Sequence, residues 1–134
     1  MPAQRLQPDR LHQRKLNGRP LYSQVVIAEG KKLVFVAGTL SRNKEGNIIG
    51  VGDMRAQIMQ VTENIRIALE AAGATFNDLV DATTYVTDID EFFKYPEERS
   101  AIFQALPTST TVEVRRLSRP EFMVEIKVVA LLDS

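Results

Sequence analysis

Residues 122–132 read FMVEIKVVALL. Extended, this segment places Phe122, Val124, Ile126, Val128 and Ala130 on one face. Met123, Val129 and Leu131 fall on the other, interrupted by Glu125 and Lys127. A strand apolar on both faces needs cover on both sides of its sheet, so the fold depends on what the rest of the chain can lay against it. One strong helical pattern is available. Asp53 stands where an N-cap belongs, and Ile58, Val61, Ile65, Ala68, Leu69 and Ala72 recur at three- and four-residue spacing up to Gly73, a natural C′ residue. A helix is predicted over 53–72, with Arg55, Gln60, Glu63 and Glu70 on its solvated face. A second is predicted over 96–105 after a turn at 90–95, because Pro96 lacks an amide donor and fits only a first turn.

The remaining segments read as strands. LYSQVVIA and LVFVAGT, separated by Glu29-Gly30, predict a β-hairpin. NKEGN at 43–47 is turn chemistry, and Ile48-Ile49 offers a short third strand. LVDATTYVT at 79–87, TTVEVRRL at 110–117 and the closing segment complete the order ββ(β)-α-β-α-ββ. This is an α+β fold of about six strands with two helices, enough to cover one face. The second apolar face then requires another subunit, and an obligate oligomer is predicted.

The 134 residues, a quarter of them charged and with zero net charge, suit one compact domain, placed at 21–134 after a basic arm at 1–20. Arg5, Arg10, Arg14, Lys15 and Arg19 stand in that arm against Asp9 alone, but Pro2, Pro8 and Pro20 spoil the amphipathic helix of a transit peptide, so a flexible or surface-draped arm is expected. Charge neutrality argues against nucleic acid as a partner. No apolar run approaches the ~18 residues that span a bilayer. The absence of cysteine removes disulfides and thiolate chemistry and reads as a cytoplasmic protein.

Few residues are left for chemistry. There is no Gly-x-Ser-x-Gly, and a Ser-His-Asp set would have to recruit the single histidine, His12, from the arm. No His pair or Asp-x-Asp-x-Asp-Gly loop suggests a metal, and no cofactor is expected. GVGD at 50–53 precedes a helix but lacks the lysine of a phosphate loop and is explained by a turn plus N-cap. Glu125 is the exception, a carboxylate on a face otherwise built from Met and Val. It is either an ion-pair partner of Lys127, Arg115 or Arg116, or an acid lining a cleft.

YSQVVIA, LVFVAGT, the long run at 60–92 (QVTENIRIALEAAGATFNDLVDATTYVTDIDEF), PTSTTVEVRRL and VEIKVVA together resemble the RidA/YjgF family of enamine and imine deaminases, also labelled endoribonuclease L-PSP and translation initiation inhibitor. The resemblance runs from Tyr22 to Leu131. It implies a chorismate-mutase-like fold, a homotrimer around a central barrel, and intersubunit clefts that take a small molecule. It carries Tyr22 over as the cleft tyrosine, Gly38 as the glycine of a Ser-Gly-Gln-like turn, and Glu125 as the acid holding a catalytic water. Asp90 stands where asparagine is common, Thr111 where cysteine is common, and Ser109 where the family's arginine forks onto the substrate carboxylate. A serine donates one neutral hydrogen bond where a guanidinium gives two charged ones. Arg42, Arg115 and Arg116 are read as substitutes for that clamp or as solvated surface. The segment at 37–57 resembles the subgroup with 2-aminomuconate deaminases, implying a larger or differently charged ligand. The function so implied is hydrolytic deamination with a water oriented by Glu125, or alternatively a ligand-binding trimer without catalysis. The ribonuclease label gains nothing from a neutral chain with no histidine pair.

Overall fold

The computed structural model describes residues 3–13 and 15–133; Pro2 and Arg14 of the basic arm lie outside them. Eight strands and three helices follow in the order β1 (Ala3–Leu6), β2 (Lys15–Leu16), β3 (Arg19–Pro20), β4 (Val25–Ala28), β5 (Lys32–Thr39), α1 (Met54–Ala71), β6 (Leu79–Val86), α2 (Ile89–Phe92), α3 (Ser100–Phe103), β7 (Thr108–Glu113) and β8 (Val124–Leu132). The fold is α+β. Its main sheet has four strands in the order β5-β8-β6-β7 and is mixed, with β8 antiparallel to both neighbours and β7 parallel to β6.

Helix α1 forms where its periodicity places it. Asp53 accepts from the Ala56 amide at 3.0 Å, and the helix closes with Ala74 N donating to Leu69 O and Gly73 N to Glu70 O, Gly73 taking the left-handed φ of +77°. Ile58, Val61, Ile65 and Leu69 are fully buried against Val124, Ile126, Val128 and Ala130 of β8. Each such side chain contributes about 1.5–3 kcal/mol through loss of water contact. Phe92 of α2 and Ile102 of α3 join the same core, so all three helices cover one face of the sheet. Gln57, also fully buried, works as a polar clamp within it. Its amide donates to Gly50 O and Glu121 O, and its oxygen accepts from Met123 N at 2.8 Å, fixing the chain just before β8.

Several sequence expectations need correcting. The hairpin between 21–28 and 33–39 does not form: β4 pairs antiparallel with β1, and β5 pairs with β8. Gly30 explains the departure, since a Cβ there would lie 2.8 Å from Leu132 O, so the turn packs on the end of β8. The basic arm supplies β1 and a hairpin, β2–β3, whose Asn17-Gly18 turn has φ of 53° and 76°. Ile48 makes only an isolated bridge to Arg42. The helix expected over 96–105 is reduced to the single turn of α3, and the strand expected through 117 ends at Glu113, leaving Arg115 and Arg116 exposed.

The outer face of the sheet is partly covered. The β1–β4 ribbon packs Ala3 and Val26 on Val80, Val129 and Leu131. Beyond the ribbon, Leu33 and Phe35 of β5 are 57% and 67% exposed, and Val112 of β7 is 38% exposed. One interior position on the helix side is out of keeping with its neighbours. Thr84 is fully buried and its hydroxyl has no hydrogen-bond partner. Thr84→Val replaces that hydroxyl with an isosteric methyl and should stabilise the fold by about 1 kcal/mol, read as a rise in the midpoint of urea unfolding at constant m. A lowered midpoint would assign the hydroxyl a partner that this packing lacks.

Candidate functional site

The segment PTSTTVE crosses from loop to strand under tight control. The amide of Ser23 donates to Pro107 O at 3.2 Å and its hydroxyl to Leu106 O at 2.6 Å, so the residue after Tyr22 is tied to the entrance of β7. Leu106 itself holds a φ of 55°, a left-handed conformation that costs a non-glycine residue about 1–2 kcal/mol. Next, the Thr108 hydroxyl lies 2.7 Å from Asp81 Oδ1 and 3.0 Å from Val80 O, pinning β7 to β6. Parallel pairing then sets Ser109 beside Ala82 and Thr111 beside Thr84, both fully buried on the helix side. Ser109 and Thr111 therefore face that side, at the sheet edge beyond the reach of α1.

There they meet Tyr22 in a cleft of about 810 Å³. The β2–β3 hairpin forms one wall, and the segment between Phe93 and Gln104 forms another. Within the second wall, Arg99 lies over the rings of Phe92, Phe93 and Phe103 at 4.9, 5.0 and 5.9 Å. That segment is braced at its start by Glu91, which accepts from Lys94 Nζ and from the Tyr95 hydroxyl, each at 2.9 Å. The bond from Lys94, followed by that from Tyr95, holds the Glu91 carboxyl below its ordinary range, and the bond to Glu91 pushes the Tyr95 phenol up. Glu113, at the end of β7, accepts from the Ile89 amide and joins the strand to α2.

Glu125 lies elsewhere. It sits between fully buried Val124 and Ile126, opposite Tyr85 across β6, and so points to the outer face of the sheet, away from Ser109 and Thr111. Gly38 adjoins it, inside β5 beside the irregularity between Val36 and Thr39, not in the turn expected for it. The two residues interlock: a Cβ on residue 38 would overlap the Glu125 carboxylate and lie 2.9 Å from its Cδ. Among the described residues, no ion pair joins Glu125 to Lys127, Arg115 or Arg116. One chain thus divides the candidate residues into two sets on opposite faces, Tyr22 with Ser109 and Thr111 in the cleft, and Gly38 with Glu125 outside.

Asp90 joins neither set, standing exposed in the first turn of α2. Arg42 is exposed over the Phe122 ring at 5.0 Å, and Arg116 donates to the neighbouring Leu117 carbonyl. Neither lines the cleft; Arg99 and Arg19 do. Sequence reasoning passed over both. The Asn17-Gly18 dipeptide, a strong two-residue hairpin signal, would have placed Arg19 on an ordered element, whereas Arg99 carries no distinguishing spacing.

The family description endoribonuclease L-PSP matches residues 13–132. A RutC family protein of Pyrococcus abyssi is 36% identical over 110 residues, covering 81% of this chain and 84% of its own length. Among solved structures, a conserved Rid-family protein of unknown function from Yersinia pestis superposes with a TM-score of 0.85 at 25% identity, over 98% of this chain and 100% of that one. A YjgF/YER057c/UK114 family member from Mycobacterium tuberculosis superposes at 0.64 with 36% identity, covering 83% and 86%. This chain belongs to the RidA/YjgF family. Among the described residues, no helix is long and apolar enough to cross a membrane.

Proposed function

We propose that the protein is a hydrolytic deaminase of small enamines or imines, with active sites that form only between subunits of a homotrimer. Family members often act as enamine and imine deaminases. The observation that carries the assembly is the separation of the two residue sets, together with the exposed Leu33, Phe35 and Val112 on the outer face. A cleft edge from one subunit laid on its neighbour's outer face buries those side chains and unites Tyr22, Ser109 and Thr111 with Gly38 and Glu125 of the next copy. In the united site Glu125 accepts a proton from water as its oxygen adds to the C=N carbon. The nitrogen takes up that proton from Glu125, and collapse of the carbinolamine releases ammonia and leaves a carbonyl. Such a step needs a positioned water and a proton path more than a strong nucleophile.

One observation favours a second reading, a trimer that binds the ligand without turning it over: Ser109 offers a neutral hydroxyl where the family clamps the substrate with a guanidinium. Ammonia release from 2-aminoacrylate generated in situ separates the two, with activity supporting deamination and silence supporting binding alone. Subunit mixing tests the shared site. Glu125→Gln and Thr111→Trp chains, each inactive alone, should regain about a quarter of wild-type activity when unfolded and refolded together as a trimer of about 45 kDa, since one site in four pairs two intact halves. No recovery in a correctly assembled mixture would place the whole site within one chain.

A further inference from the structure

Three consecutive carbonyls at the entrance to β7 are held from outside the main sheet. Arg5 of β1 donates through Nε to Ala105 O. Ser23, just ahead of β4, donates through its hydroxyl to Leu106 O at 2.6 Å and through its amide to Pro107 O at 3.2 Å. Arg5 stands opposite Val26 in the β1–β4 register, so both donors belong to one ribbon. The middle residue of the three, Leu106, has a φ of 55°, a conformation that a leucine keeps only where its surroundings over-determine it. Leu106 and Ser109 both line the cleft, whereas Arg5 does not.

We propose that Arg5 is a positioning residue for the site: through Ala105 it holds the strained Leu106 turn and so sets where Leu106 and Ser109 stand in the cleft. Without that donor the turn relaxes toward an ordinary backbone conformation, and the start of β7 moves with it. The basic arm is thereby part of the frame of the site. The same ribbon lays Ala3 and Val26 on Val80, Val129 and Leu131, so it ties the outer face of the sheet to the entrance of the cleft strand. What matters in Arg5 is the Nε donor and not the charge, because the acceptor is a neutral carbonyl. This inference rests on Ser109 contacting substrate, but the geometry it claims needs no turnover.

Arg5→Gln and Arg5→Met separate the donor from the charge. The glutamine amide nitrogen stands the same number of bonds from Cα as the arginine Nε and makes the same bond, whereas methionine keeps the length and donates nothing. Amide NMR spectra of the intact protein should show the Leu106, Ser109 and Thr111 resonances displaced in Arg5→Met and at their wild-type positions in Arg5→Gln. An arm that only docks on the sheet would leave β7 unmoved in both. The KM for 2-aminoacrylate should rise about tenfold in Arg5→Met with kcat retained, the scale of one lost hydrogen bond, and return toward the wild-type value in Arg5→Gln. Ser23→Ala removes the neighbouring donor to Leu106 O and should displace the same resonances, an independent route should Arg5→Met fail to fold. Unmoved Ser109 and Thr111 resonances in folded Arg5→Met, or in Ser23→Ala should that variant unfold, overturn the proposal, as does equal displacement in Arg5→Gln and Arg5→Met. The two readings fail separately. Ammonia release with β7 indifferent to the donor keeps the deaminase and removes the positioning role; donor-dependent resonances without ammonia release do the reverse.

Discussion

Glu125→Gln should reduce ammonia release by about 10²–10⁴-fold while the folded state and its assembly survive. The amide keeps the volume of the carboxylate and can hold a water, but it cannot take a proton from it. Stability should scarcely change, because no ion pair among the described residues engages Glu125 and removing its charge strands no buried partner. Had Lys127, Arg115 or Arg116 been its counter-ion, the same change would lower stability by about 3–5 kcal/mol. Melting temperature and specific activity on one preparation decide the matter. Activity that survives the substitution removes Glu125 from the chemistry, and a large drop in melting temperature returns it to a structural role.

Gly38→Ala should inactivate the protein by a different route. The added methyl would occupy the space of the Glu125 carboxylate, and since that carboxylate is the far end of a flexible side chain, it swings aside. Stability therefore falls by less than about 1 kcal/mol, partly offset by the reduced freedom of the unfolded chain. Activity falls by about 10²-fold, the usual penalty for displacing a reacting group by an ångström. A double-mutant cycle isolates the contact: in a Glu125→Ala background the clash disappears and Gly38→Ala should become neutral or stabilising. Full activity in the single variant would show that the carboxylate has no fixed position to lose.

The elements that were legible in the sequence are those whose signals are local. Helix α1 follows from Asp53, Gly73 and the residues between them, and the two faces of β8 follow from strict alternation. Strand partnership was not legible, because the apolar runs at 25–28 and 33–39 fit several neighbours equally well and only tertiary packing pairs β4 with β1. The second helix failed for an energetic reason: an isolated turn or two of helix is marginal, and packing of Phe92 and Ile102 into the core decided what survived. At the candidate site, the meeting of Tyr22 with Ser109 and Thr111 depends on the Ser23 bonds across to Leu106 and Pro107, which no spacing announces. The separation of Glu125 from that cleft needs the registers of β6 with both β7 and β8. Arg99 becomes recognisable only once three rings have folded around it.

Strand β7 ends the sheet, and among the described residues no strand pairs with its outer side. Its sequence, TSTTVE, carries no lysine, no proline and no charge before its last residue, so it lacks the devices that keep a sheet margin from recruiting other chains. The same margin that would admit a neighbour in an orderly ring is open to any extended polypeptide. If the proposed trimer forms, separating its subunits by mutating Phe35 or Leu33 would therefore not yield a well-behaved small domain. It would leave a threonine-rich ladder of unpaired amides and carbonyls in water, through which chains would join edge to edge as their concentration rises.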